Sequence, residues 1–505
     1  MERLQIRRLA FLTWVGLLAA SPAWSAEADD FRASVSANAT LTFTNNVNLA
    51  PPGQTQADEL LGLSIPLALR REGARVKLEA DYIPTVYLYA RTRESDNLQN
   101  NLRSLLSVEA IDEYFFVDAS ANIYQSYISP FLPRPEGGAG VTQNRTQQTV
   151  LGLSPYVRHQ TSTGWRYLIR NDNYWNAYSA GGLGNSFTTS LFADIESAPA
   201  RLYYGFDYTY LYSRDENQPT AYYQQVVRAR PILTVTAKLR LSARVGYEAN
   251  DYVTHYSGAV YGAGIDWAPT PRTKLDGFFE HRFFGVSYGL NFNHRTRLTA
   301  WRLSGTRNTY TTLNQPVALQ PGATATVLDG AFASQSPEAG QRQQAVNQFL
   351  ERVGLPATLT QPYSFYTNQT YVSEQWSGSV GLVGKRNTAE LTLFWQTNVP
   401  VTSSGTVSPV VFAGSSPFRQ QGVTLTFTHT LSALLNAAAS ARRVYATQTD
   451  PVAPFQSTEN GLVLSLNRQL SHKTNGSLGV RWTNLSATIN PYQETAVFAV
   501  LAHTF

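Results

Sequence analysis

Hydrophobic and polar residues alternate along most of this chain. Between positions 33 and 44, small or apolar residues occupy every odd position from Ala33 to Phe43, and Ser, Thr or Asn occupies every even position. A period of two is that of a β-strand with one apolar and one polar face. The pattern recurs at 61–69, 239–247, 389–395 and 462–466. Counting every such run predicts an all-β fold of about 22 strands.

The connections between these runs alternate between short and long. Short turns are predicted at 71–73, 112–114, 161–164, 197–200, 236–238, 269–273, 385–387 and 471–473. Longer connections fall between them, at 45–56, 91–100, 129–146, 213–219, 398–418 and 447–456. Tight periplasmic turns and longer external loops are typical of outer-membrane barrels, whereas a sandwich has no reason to sort its loops. We therefore expect a transmembrane antiparallel up-and-down β-barrel, with a soluble or secreted all-β protein as the alternative.

Aromatic residues support this prediction. The chain has 28 Tyr, 24 Phe and 9 Trp, and transmembrane barrels carry aromatic belts where strands cross the membrane interfaces. Shared faces are predicted for Tyr204, Phe206, Tyr208, Tyr210 and Tyr212, and for Trp165, Tyr167 and Ile169. We interpret them as a girdle; the alternative is a track on which carbohydrate stacks.

The polar faces carry the charged residues, so these are predicted to line the lumen. The candidates are Arg75, Lys77, Glu79, Asp81, Arg166, Arg170, Asp172, Arg240, Arg244, Glu248, Lys274, Asp276, Glu280 and Arg282. A charge on the lipid face would cost about 2–4 kcal/mol at the midplane, which supports this choice of face. Because acids and bases are interleaved, we favour ion pairs that brace the wall over a selective filter.

One long insertion interrupts the repeat, at 307–366. Ser336, Pro337 and Glu338 resemble the start of a helix, and Gly354 resembles its end. Between them, apolar residues fall on one helical face. We expect a short helix in a loop on the external side, where the loop either folds into the lumen, caps the mouth or forms an external arm.

The first 26 residues predict a secretory signal peptide. Arg3, Arg7 and Arg8 precede an apolar run at 9–20 and then small residues. A run of about 12 residues is shorter than a bilayer-spanning helix, although an uncleaved anchor is the alternative. The mature barrel is then 27–505, in the outer membrane of a Gram-negative bacterium. Its partners would include outer-membrane lipid.

The carboxyl-terminal stretch at 493–505 is β-prone and largely apolar. By strand parity, Thr495, Val497, Ala499, Leu501 and His503 share one face with Phe505. We expect this strand to pair with 33–43 and so close the sheet. A terminal aromatic residue is also the feature that barrels present to the insertion machinery, so Phe505 is a candidate assembly signal.

Charge and chemistry exclude several functions. A net charge of +5 does not point to nucleic acid. The chain has no cysteine, and no residue cluster has metal-ligand spacing or forms a phosphate loop, so we expect no metal and no cofactor. His255 and Ser257 resemble the His-x-Ser of outer-membrane phospholipase A. However, no asparagine follows Ser257 before Asn291 to orient the histidine, so a lipid hydrolase is a minor alternative and we do not expect an enzyme.

Several segments together resemble one family. LTFTNNVNLAPPGQTQAD at 41–58, ASANIYQSYISPF at 119–131, SPYVRHQTSTGWRYLIRND at 154–172 and GKRNTAELTLFW at 384–395 are similar to PEP-CTERM-system-associated outer-membrane proteins. The resemblance implies a β-barrel that works beside exopolysaccharide export systems, with export components as partners and no catalytic residues. We expect a channel or conduit for polysaccharide or another envelope solute. The alternative is a non-conducting surface barrel whose loops bind a partner or the extracellular matrix.

Overall fold

The computed structural model describes residues 31–129, 131–135, 140–180, 182–218, 221–252, 255–311, 370–401, 417–448 and 454–505. The strands are β1 Phe31–Thr44, β2 Asp58–Ser64, β3 Leu67–Glu72, β4 Val76–Tyr89, β5 Asn97–Ile111, β6 Phe115–Tyr127, β7 Arg145–Gln160, β8 Arg166–Tyr178, β9 Ser186–Glu196, β10 Leu202–Asp215, β11 Tyr222–Thr236, β12 Leu239–Asn250, β13 Tyr256–Thr270, β14 Thr273–Arg282, β15 Gly285–Arg295, β16 Thr299–Thr311, β17 Thr370–Val383, β18 Asn387–Pro400, β19 Phe418–Ser432, β20 Leu435–Gln448, β21 Phe455–Ser471, β22 Thr474–Ala487 and β23 Tyr492–Thr504. Arg93–Ser95 forms one 3-10 turn. Over these ranges, no helix is both long enough and apolar enough to cross a bilayer.

β2 and β3 are two halves of one barrel strand. Both pair with β1 on one side and with β4 on the other. Pro66 lies between them. Because proline has no N–H to donate, the hydrogen-bond ladder is interrupted there. The Pro66 carbonyl still accepts the N–H of Ser36 at 2.9 Å. The 23 strand segments of the sheet therefore occupy 22 positions around the barrel, as predicted.

The sheet closes by pairing its last strand with its first. β23 runs antiparallel to β1, with Val497 opposite Phe43 and His503 opposite Ala37. The N–H of Phe505 continues this ladder and donates to the carbonyl of Val35 at 3.0 Å. Closure leaves no strand edge exposed, which is what a bilayer demands of a sheet. The predicted seam is confirmed.

Strand register separates an apolar outer wall from a polar inner wall. Leu63 is paired with Val86, and Val86 with Leu98. All three side chains point out of the barrel and are exposed by 42%, 38% and 58% respectively. Thr42 and Thr44 on the opposite face are almost completely buried. Large apolar side chains exposed around a closed sheet fit contact with lipid, which is the architecture of outer-membrane barrels.

The two ends of the barrel differ in their connections. At one end, here called the short-turn end, β1 starts, β23 stops and the connections are turns of two to five residues. At the other, the long-loop end, lie longer segments that include 45–57 and 128–144. Three connections there are also five residues or shorter: 251–255, 283–284 and 488–491. The predicted alternation is thus confirmed, except for these three connections.

The long insertion begins later than the sequence pattern predicts. β16 continues through Arg307 to Thr311, because these residues remain paired with β17, which starts at Thr370. The predicted helix at 336–354 lies outside the described residues.

Candidate functional site

The inner wall of the barrel holds the charged residues predicted for the lumen. On β12, Arg240, Arg244 and Glu248 alternate with Leu241 and Val245, which are exposed on the outer wall. By the same register argument, the inner wall also carries Lys77, Glu79, Asp81, Arg166, Arg170, Asp172, Lys274, Asp276, Glu280 and Arg282. On these strands, the residues predicted to line the lumen therefore lie on the same face of the sheet, the inner wall.

Arg75 is placed differently. It lies in the turn before β4, and its guanidinium is 3.5 Å from the carboxylate of Asp112 in the next short turn. Their side chains are 61% and 75% exposed. Arg75 is therefore a residue of the short-turn rim and not of the lumen wall.

Six charged side chains form a continuous chain of ion pairs on the inner wall. This central network consists of Asp194, Asp207, Arg228, Arg230, Arg244 and Glu280. Arg228 bridges Asp207 and Glu280, with nitrogen–oxygen distances of 3.0 Å to both. Arg230 reaches Asp207 at 2.7 Å and also contacts Asp194. Arg244 reaches the other oxygen of Glu280 at 3.0 Å. The network joins five strands, β9 to β12 and β14.

A second ion pair is more completely buried and lies near the long-loop end. The side chains of Arg282 and Glu248 are 4% and 0% exposed, and a guanidinium nitrogen lies 2.6 Å from the carboxylate. Gln224 donates to the same carboxylate at 2.6 Å, and Arg282 donates to Asn308 at 2.6 Å. A buried carboxylate is tolerated only when it is paired and hydrogen-bonded, and Glu248 meets both conditions.

Other inner-wall charges are paired as well. Arg170 bridges Asp118 and Asp172, at 2.7 Å from each. Further pairs join Arg166 to Glu196, Arg240 to Asp266, Lys274 to Asp276 and Arg70 to Asp81. Most of these bonds connect different strands. This arrangement favours the wall-bracing interpretation, because a guanidinium that already holds a carboxylate is less available to a passing solute.

Sequence reasoning missed four members of the central network: Asp194, Asp207, Arg228 and Arg230. The signal was present in strand parity. Asp207 alternates with the aromatic series on β10, and Arg228 alternates with Val227, which is 50% exposed on the outer wall. On β10, Asp207 shares a strand with a continuous aromatic face, which is the stronger pattern in the sequence.

The connection between β6 and β7 folds into the barrel. We call its described residues, 128–129, 131–135 and 140–144, the inner loop. Its base is held by Asn144, whose carboxamide oxygen accepts the N–H of Ser129 at 2.7 Å. The amide group of Asn144 donates back to the carbonyls of Ser129 at 2.8 Å and Leu132 at 3.2 Å. A single buried side chain on the second arm of the loop thus satisfies several backbone groups of the first arm.

The tip of the inner loop contacts strands on a distant part of the barrel. Phe131 packs against Phe418, Ala446 and Phe455, at the starts of β19 and β21 and near the end of β20. In the circular strand order, β6 and β7 are separated from these strands by β1 to β5, β22 and β23. The inner loop therefore reaches across the long-loop end of the lumen, and does not lie back on its own strands.

Arg134 fixes this arrangement electrostatically. Its guanidinium is 2.6 Å from Glu459 on β21, with side chains 4% and 2% exposed. Arg442 of β20 also contacts Glu459. The Arg134 carbonyl accepts a hydrogen bond from the hydroxyl of Tyr492 at 2.9 Å. Apolar packing, an ion pair and a hydrogen bond thus all hold the tip in place.

The loop between β1 and β2 supports the inner loop from the seam side. Val47 is fully buried, and its carbonyl accepts the N–H of Val141 at 2.9 Å. Leu49 packs against Leu485 and Tyr492 on the inner wall of β22 and β23. The described part of the long-loop end therefore contains two loops that pack on each other and on the wall.

His255 and Ser257 lie beside the start of β13. The Nδ1 atom of His255 is 2.9 Å from the hydroxyl of Tyr223. Ser257 is on β13, opposite Ala249 of β12. Within the residues that the structure describes, no group of three His, Asp or Glu could hold a metal ion.

No protein-family model matches the sequence. No curated protein matches it either. Among solved structures, the chain is similar to the siderophore receptor PirA from Acinetobacter baumannii, with 9% identity, a TM-score of 0.47, and coverage of 94% of this chain and 80% of that chain. It is also similar to Pseudomonas aeruginosa OpdK, solved with vanillate, with 9% identity, a TM-score of 0.33, and coverage of 94% and 99%. A BenF-like porin from Pseudomonas fluorescens Pf-5 gives 10% identity, a TM-score of 0.37, and coverage of 94% and 99%.

Proposed function

We propose that this chain is an outer-membrane channel whose lumen is narrowed at the long-loop end by the inner loop. The observation that carries the proposal is the contact of the Phe131 and Arg134 tip with β19 to β21, inside a closed barrel with a polar, ion-paired wall. A barrel of 22 positions is wide enough that its lumen needs an inward loop or a plug to restrict passage. The inner loop provides such an element.

Conductance tests the proposal directly. Mature protein is refolded in detergent and reconstituted into planar lipid bilayers. Steady, ohmic single-channel current is the expected result. A barrel that inserts, as shown by its heat-modifiable mobility on gels, yet carries no current would contradict the channel function.

A sealed barrel would instead support the second candidate, a surface barrel that binds a partner or matrix. The packed loops at the long-loop end favour it. Leu49, Phe131 and Arg134 are buried and hold the two loops against the wall, so the loops present a fixed shape, which recognition requires. Binding of the reconstituted barrel to purified exopolysaccharide or matrix, measured by cosedimentation, would distinguish this function from conduction.

The cellular context follows from the resemblance to PEP-CTERM-system-associated outer-membrane proteins. We propose passage of polysaccharide or another envelope solute in cooperation with an exopolysaccharide export system. Deletion of the gene is expected to reduce extracellular polysaccharide while leaving its intracellular synthesis intact. Unchanged export would restrict the proposal to a general envelope channel.

A further inference from the structure

The charges on the inner wall are not all neutralised, and the cations that remain unpaired among the described residues lie mostly toward one end. Among the described residues, Arg32, Lys77, Arg103 and Arg302 face the lumen, are exposed, and have no ion-pair or hydrogen-bond partner. Arg32 and Arg302 alternate with Phe31 and Trp301, whose side chains are exposed on the outer wall. These four cations meet a solute directly, and so does Arg158 of β7, which is exposed on the inner wall with its guanidinium over the ring of Phe116.

Three of the four lie close to the short-turn end. Arg32 and Lys77 are each the second residue of their strand, and Arg302 is the fourth residue of its strand. Arg103 is near the middle of β5. The short turns add further exposed cations at Arg201, Lys238, Arg272, Arg297 and Lys473, and two more in the turn at 384–386. The mouth at this end is therefore rich in positive charge.

Acidic residues at this end are fewer. On the short turns, Asp112 pairs with Arg75, whereas the side chain of Glu113 is exposed. On the described wall, Glu72, which lies opposite Lys77, and Glu79 are exposed without an ion-pair partner, while Glu390 is 4% exposed.

The acidic residues at the long-loop end are far from the short-turn mouth. Asp58, for example, is 2% exposed and accepts the N–H groups of Arg91 and Thr92. Strands of about 14 residues rise roughly 45 Å along their length, whereas the Debye length is about 10 Å in 0.1 M salt. The two mouths are thus electrostatically separate.

From this distribution we infer that the pore selects anions, and that its short-turn mouth sets the preference. The inference rests on the proposed channel function and adds the class of solute. A mouth lined by one sign of charge raises the local concentration of counter-ions, and therefore the flux of solutes that carry the opposite charge. Anionic solutes, with carboxylate, phosphate or sulfate groups, fit such a mouth.

The test is a reversal-potential measurement on the reconstituted full-length mature barrel, with a KCl gradient across the bilayer. The expected result is a permeability ratio of chloride to potassium above about two near 0.1 M salt, falling toward one near 1 M, where the Debye length is about 3 Å. The variant Arg103→Gln/Arg302→Gln should lower the ratio. The matched control, Arg419→Gln/Arg443→Gln, removes the same charge from the outer wall and should leave the ratio unchanged.

The outcomes separate the two proposals. If inserted barrels carry no current, the channel function itself fails. If they conduct without preference or prefer potassium, the channel stands and the anion inference is overturned. An equal effect of the inner-wall and outer-wall variants would also overturn it, because the selectivity would then not arise in the lumen. Heat-modifiable mobility of both variants confirms that each has folded.

Discussion

Arg134 and Glu459 are 325 residues apart in the sequence, yet their side chains are joined by a buried ion pair of 2.6 Å. The pair links the tip of the inner loop to β21. Since a buried charge pair requires close geometry to offset desolvation, the inner loop is held in one position by this contact. The position of the loop, and with it the width of the lumen, thus depends on a few side chains.

Replacing Arg134 should loosen the inner loop. In Arg134→Met, the tip loses its ion pair while Glu459 keeps Arg442, so the barrel itself should remain folded. A hydrogen bond to a charged group contributes about 1.5–3 kcal/mol, enough to populate conformations in which the loop has left the wall. We expect a higher and noisier single-channel conductance.

A matched control is available on the neighbouring strands. Arg481 and Glu494 form a pair of 2.9 Å that is similarly buried but connects β22 directly to β23. Arg481→Met removes a charge of the same kind without touching the inner loop, and its open-channel noise should stay at the parent level. Equal noise in both variants would mean that the loop does not determine conductance.

Stability should depend strongly on the Glu248 and Arg282 pair. Arg282→Ala leaves a carboxylate buried at 0% exposure, and breaking such a pair costs about 3–5 kcal/mol. The pair of Arg240 and Asp266 is 47% and 34% exposed, so Arg240→Ala should cost less than about 1 kcal/mol. Urea titrations in detergent, read from the folded and unfolded gel bands, measure both. Similar midpoints for the two variants would contradict a bracing role for the buried pair.

The face of each strand could be predicted from the sequence, whereas the partner of each charge could not. Period-two alternation alone places Arg244 and Glu280 on the inner wall. That they bond to each other depends on the stagger of β12, β13 and β14, which is set by packing around the whole barrel. The seam was predictable for the simpler reason that a closed sheet must join its first and last strands.

The inward course of the inner loop was not predictable. Loops have no periodicity, and the position of this one depends on Phe131 reaching Phe418 and Phe455, which are more than half the chain away. Three apolar residues in a loop, Phe131, Leu132 and Pro133, were the only local sign that the segment is buried. The sequence pattern instead predicted an inward or capping segment only in the longer insertion at 307–366.

Close strand packing at glycine gives a further prediction. A Cβ atom on Gly262 would lie 2.0 Å from the backbone oxygen of Phe279, so the two strands could not keep their spacing. Gly262→Ala should destabilise the barrel by about 1–3 kcal/mol. At Gly378 the nearest atom to such a Cβ is 3.8 Å away, on Leu303, so Gly378→Ala should be tolerated. The same urea titration tests the pair, and an unchanged midpoint for Gly262→Ala would refute the close approach.

Phe505 is expected to act in assembly and not in conduction. Its ring is 69% exposed on the outer side of the seam and contacts only the ring of His503 among the described aromatic rings, so it adds little packing energy. Its backbone N–H bonds to Val35 whatever the side chain is. Phe505→Asp should therefore lower the yield of heat-modifiable barrel in cells, while surviving molecules conduct normally. Phe31→Asp is the matched control, since Phe31 is also exposed, by 47%, at the same end of the barrel. An equal loss of folded barrel in both variants would attribute the effect to a charge at the membrane interface, and not to recognition of Phe505 by the insertion machinery.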